Sequence, residues 1–248
     1  MSVARIVTLC ALLCFAAATP AQQGGDLQAQ ILYAYQTEDD NGLRNLIRDL
    51  SAQVKSDESN LSLHYHLAHA EYRRGLLADR SSDREAESAY GACIDELKPV
   101  LAQDVKSVEA LVLQSACYGG AANHKKLEAV LLRSRSEDRL KSALGLEPRN
   151  PRALLLSSSQ SLHDAKPGSP ERQQAFAQLQ LAVQLFDASS ATRLDSPGWG
   201  HADAYLAMGL ELKSRGDLLG ARNYIEKSLI AAPDYKAAQR QLAQLNRP

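Results

Sequence analysis

Several things are scarce in this chain, and each scarcity removes a class of function. Basic side chains are not in excess: 28 Lys and Arg stand against 29 Asp and Glu, for a formal net charge of −1. No local basic block compensates, so a nucleic-acid partner is excluded as the main ligand. No apolar run reaches the roughly 20 residues that a helix needs to cross a bilayer. Aromatic residues make up 5% of the chain, with a single tryptophan, Trp199. No Gly-x-Ser-x-Gly elbow is present to expose a nucleophilic serine. Cys117-Tyr118-Gly119-Gly120 lacks the Gly-Lys-Ser/Thr of a phosphate-binding loop, so its glycines are expected to end a helix. Glycine and proline fall mainly between apolar-periodic segments, and nothing in the composition marks disorder.

The amino terminus reads as a separate segment. Arg5 is its one charge, Ile6 to Ala18 is apolar, and Thr19-Pro20-Ala21 ends it on a small residue. That is the layout of a secretory signal peptide, here residues 1–21, with cleavage expected after Ala21. The competing reading is an uncleaved membrane anchor. Neither Cys10 nor Cys14 follows the small residues that bacterial lipidation wants. Cleavage gives a periplasmic or secreted protein with no membrane span, one charge unit more negative, whose remaining cysteines are Cys93 and Cys117.

What is present is helical periodicity. Tyr205, Met208, Gly209 and Leu212 follow i, i+3, i+4, i+7 spacing and form one apolar stripe. Gly216-Asp217 breaks the pattern, Ala221, Tyr224, Ile225, Ser228 and Leu229 resume it, and Pro233-Asp234 ends it. Gly209 and Ala221 are small residues on facing stripes, so the two helices can approach closely. This helix–turn–helix unit resembles the tetratricopeptide repeat (TPR), of roughly 34 residues, in an exported bacterial form. Degenerate copies precede it. Leu67 to Gly75 matches Met208 to Gly216, with a second helix expected over Ala86–Leu97 and Pro99 as its stop. Others start at Val108 and Arg152. The resemblance implies an all-α, right-handed superhelical solenoid of antiparallel helix pairs. Its repeats span about 61–99, 107–148, 151–187 and 202–235, after amino-terminal helices over 26–60 and before a capping helix over 236–248. Extra residues at Asp79–Asp83, Gly119–Lys126 and His163–Pro170 fall between first and second helices, and so project from one edge.

TPR proteins bind extended peptides or partner helices on the concave face built by the first helices. The resemblance therefore implies a binding wall of Tyr65, His69, Tyr72 and Arg73, then Leu111, Ser115 and Tyr118, then Leu155, Ser159 and Leu162, then Asp203, Leu206, Leu210 and Lys213. Tyr65, His69, Tyr72, Arg73 and Tyr118 are the candidate partner contacts. The lysines and asparagines with which one branch of the family grips a peptide carboxylate are missing from the first repeat, so that role is not expected. By the same alignment, Cys93 and Cys117 lie on neighbouring helices with inward stripes. Either they form a disulfide or they pack as two buried thiols.

Other clusters carry bland readings beside sharp ones. His66 and His69 are one helical turn apart and could share a metal, but no third ligand is evident and His64 points elsewhere. Ser159 and His163 can touch on one helix face, without the turn a catalytic serine requires. Trp199, in Pro197-Gly198-Trp199-Gly200, is expected to pack over a helix junction rather than to meet a partner. The expectation is a non-enzymatic protein- or peptide-binding adaptor of the cell envelope, with no catalytic residue, cofactor or metal. The alternative is a ligand-binding subunit of an envelope transporter or assembly machine, with its pocket under the inserted turns; a groove would mark the first and a closed pocket the second.

Overall fold

The computed structural model describes residues 20–189 and 198–245; residues 1–19 of the expected signal segment lie outside them. Eleven helices and no strand occur among the described residues: α1 Pro20–Gln36, α2 Asp40–Ser56, α3 Leu61–Ala78, α4 Asp83–Gln103, α5 Val108–His124, α6 Ala129–Leu146, α7 Pro151–Asp164, α8 Pro170–Ser189, α9 His201–Ser214, α10 Leu218–Ala231 and α11 Lys236–Leu245. Helices α3 with α4, α5 with α6, α7 with α8 and α9 with α10 pack as consecutive pairs, so the chain is an all-α repeat solenoid.

Local chemistry starts the helices. Asp39, Asn60, Ser82, Asn150 and Asp217 each accept a hydrogen bond from a first-turn backbone N–H of α2, α3, α4, α7 and α10. Each such cap is worth about 1 kcal/mol. Pro151 sits in the first turn of α7, where a missing N–H costs nothing. The close approach of α9 and α10 is real. A Cβ on Gly209 would lie 2.6 Å from Ile225 Cγ1 and 3.0 Å from the Ala221 carbonyl.

Two helix ends differ from expectation. Pro99 does not stop its helix; α4 runs through it to Gln103. Beyond the proline, Val100 is buried and Leu101 packs on the core, and this burial offsets the lost N–H. Gly119 and Gly120 do not end a helix either, since α5 continues to His124 through buried Ala121 and Ala122. A side chain on Gly120 would overlap the Tyr90 ring, so this glycine is a packing site.

The solenoid curls until its ends meet. Helices α1 and α2 cover α3 through Ile31, Leu43, Ile47, Leu50, Leu67 and Ala70. The inner side of α1 then reaches the last repeat: Gly198 N donates to Gln28 Oε1 at 2.7 Å, and Arg240 bridges to Glu38 at 2.6 Å. Tyr35 and Tyr235 rings lie 5.9 Å apart. Cys93 of α4 and Cys117 of α5 are joined by a disulfide with a Cα separation of 6.2 Å.

Candidate functional site

The first-helix wall is occupied by the chain itself. Trp199, 2% exposed, enters it from the segment before α9. Its ring stacks on His69 with centroids 5.7 Å apart, and its Nε1–H donates to Tyr65 Oη at 3.0 Å. Arg152 of α7 holds the tryptophan from behind, donating from Nε to its carbonyl at 2.9 Å. Beside it Arg73 is buried, a costly place for a charge unless it is fully paired. Its Nη2 donates to Asp203 Oδ2 at 2.8 Å, its Nε to His69 Nε2 at 3.1 Å, and its guanidinium lies 4.5 Å from the Tyr35 ring centroid. Tyr235 Oη donates to the other Asp203 oxygen at 2.8 Å.

This arrangement fixes the histidine chemistry. Burial first, and the Arg73 charge second, hold His69 well below its ordinary pKa of 6.5. Neutral His69 accepts at Nε2 and so carries its proton at Nδ1. The lone pair that a metal shared with His66 would need is already engaged by Arg73. His64 is drawn elsewhere, to Glu96 at 2.7 Å and the Glu58 carbonyl at 3.1 Å.

Most of the expected wall residues pack against other parts of the chain, and Tyr72 and Ser159 also line an open cleft. His69, Tyr72, Arg73 and Tyr118 are buried and Tyr65 is half-buried, all against other parts of the chain. Tyr118 belongs to the core around the disulfide, with Arg135 above its ring. Leu111, Ser115, Leu155 and Leu206 are buried too, while Ser159 and Leu210 remain exposed. Lys213 is engaged by Gln241 and Gln244. Nor are Ser159 and His163 joined: the hydroxyl bonds the Leu155 carbonyl and the imidazole bonds Asp164.

A cleft of about 710 Å³ opens between α6 and α7, reaching across α5 to the end of α3. Its floor is apolar and buried or half-buried: Leu76, Ala116, Leu140, Leu144 and Leu156. Its α6 rim carries Arg133, Glu137 and Lys141, all exposed, and its α7 rim carries Ser157, Gln160 and Ser161. One hydrogen-bonded knot fixes the two walls. Ser115 and Ser136 each donate to the other's carbonyl at 2.8 and 2.9 Å, and Gln160 Nε2 donates to Ser136 Oγ at 3.1 Å. At the far end, Tyr90 Oη donates to Asp79 at 2.7 Å. His124 bridges Asp79 at 2.8 Å and Asp83 at 3.0 Å, tying the α3–α4 turn to the end of α5.

A solved structure with the same architecture is a thermophilic TPR protein from Thermus thermophilus. It superposes with a TM-score of 0.62 over 91% of this chain and 98% of its own, at 18% sequence identity. The chain has a TPR-like fold. At that identity the likeness is one of fold. No protein-family model matches the sequence, and no curated protein is similar to it. In this TPR-like scaffold the cleft draws on residues beside the inserted turns: Asp79, Asn123, His163 and Asp164 line it. Sequence reading placed those turns on one edge but missed the α6 residues.

Proposed function

We propose that this helical repeat scaffold is a non-enzymatic, protein- or peptide-binding adaptor of the cell envelope, exported by residues 1–21, and that it takes its partner in the cleft between α6 and α7. One observation carries the reading. The part of the inner wall around Tyr65 and His69 is covered by Trp199, whereas the cleft combines an apolar floor with polar rims. An apolar floor supplies affinity by burial, at about 25 cal/mol per Å² removed from water. Polar rims fix the orientation of what is bound. The second reading, a ligand-binding subunit of an envelope transporter or assembly machine, is favoured by the cleft's volume, which falls within the roughly 300–1,000 Å³ of small-molecule pockets.

Site-directed photo-cross-linking in the intact envelope separates the two. A photoreactive side chain at Ser161, on the exposed rim, should give a discrete protein adduct. The same group at Glu226, exposed on α10, should give none. Adducts of equal strength from both positions, or from Glu226 alone, would contradict the adaptor reading. Absence of any protein adduct from Ser161 would favour the small-ligand reading.

A further inference from the structure

The cleft carries information about the sequence of its ligand. Gly119 lies inside α5, where glycine is the poorest helix former other than proline. Packing does not require it. A Cβ there would meet Ser136 Oγ at 3.4 Å and Gln160 Nε2 at 3.5 Å, both ordinary contacts. Gly120 next to it is different, because its side chain would strike the Tyr90 ring. Over Gly119 the Gln160–Ser136 hydrogen bond closes the floor, so a ligand there meets the α6 and α7 rims and not bare backbone.

The α6 rim supplies the second observation. Arg133, Glu137 and Lys141 are four residues apart, so they rise along the cleft at about 6 Å per step. Alternate side chains of an extended peptide repeat at about 6.7 Å. None of the three has an ion-pair partner among the described residues, although each lies an i,i+4 step from the next. A ladder of plus, minus, plus is complementary to minus, plus, minus. The pattern reads the same in both directions, so either chain polarity satisfies it. In such a ligand the residues between the charges would point away from α6, toward Leu76 of α3 and Leu156 of α7.

Resting on the adaptor reading, we propose that the cleft binds an extended peptide segment of the pattern acidic–apolar–basic–apolar–acidic, laid along the α6 rim. The binding of two fluorescein-labelled peptides to the full chain tests this by anisotropy at low salt. One has Asp-Leu-Lys-Leu-Asp at its centre and the other the reversed Lys-Leu-Asp-Leu-Lys. The first should bind saturably and at least tenfold more tightly than the second. Reversing the ladder, with Arg133→Glu, Glu137→Lys and Lys141→Glu together, should invert that preference. Equal binding of the two peptides, or no saturable binding of either at millimolar concentration, overturns the proposed pattern. Cross-linking from Ser161 that persists in that case shows the failure to lie in the pattern and not in the adaptor reading.

Discussion

At the scale of single residues, the centre of the molecule is Arg73. A buried guanidinium is tolerated here because carboxylate, imidazole and three aromatic faces surround it. Burial works against its charge, and Asp203 with the neighbouring tyrosines keeps it protonated. Asp203→Ala strands that charge and also takes the acceptor from Tyr235. The expected loss is about 3 kcal/mol, near the low end for breaking a buried pair because Asp203 retains some exposure. Urea titration measures it, and a loss below about 1 kcal/mol would mean that Arg73 is held by its aromatic neighbours alone. Sequence reading grouped Tyr65, His69, Tyr72 and Arg73 on one helix stripe and expected them to meet a partner. Periodicity tells which residues share a face. It cannot tell that the face will be covered by Trp199 and Asp203, the latter 130 residues further along the chain. Packing of Trp199, by contrast, was legible from its place at a helix entrance.

At the scale of elements, the helix pairs were legible from their apolar stripes, and the α9–α10 crossing was legible from two small residues. Pro99 and Gly119-Gly120 misled because tertiary burial outweighed local propensity. The contact between the α3–α4 turn and the end of α5 was invisible for a similar reason, since it joins His124 to residues more than 40 positions away. Burial disfavours the charged imidazole, but hydrogen bonds to Asp79 and Asp83, and their charges, more than offset this, so the pKa of His124 is raised above 6.5. A histidine raised in the folded state contributes stability that is fully present below about 6.5 and is lost as pH rises through the folded value. Glu71, pushed up to about 7 chiefly by burial, moves in the same direction. His66 and His69, lowered by burial, move oppositely. The difference between the wild type and His124→Gln isolates the clamp. The variant should lose melting temperature at pH 6 and approach the wild type at pH 8.5. A deficit that is constant across this range would show that the imidazole acts by packing and not by charge.

At the scale of the whole molecule, a solenoid was legible and its closure was not. Four copies of a two-helix unit specify stacking, but the small rotation per repeat that brings α1 against the last repeat leaves no mark in the apolar stripes. Closure has a functional consequence. It seals the inner wall through a seam of side-chain contacts, Gln28 to Gly198, Tyr35 to Tyr235 and Glu38 to Arg240. The cleft on the edge of the inserted turns lies away from this seam and stays open. The central claim is thus that the inner wall is shut, and Trp199, the one tryptophan in the sequence, reports on it directly. Acrylamide quenching of its fluorescence in the native protein should be weak, with blue-shifted emission, and both should change together only when the fold is lost in guanidinium. Strong quenching and red-shifted emission in the native protein would place the indole in water and contradict the closed wall.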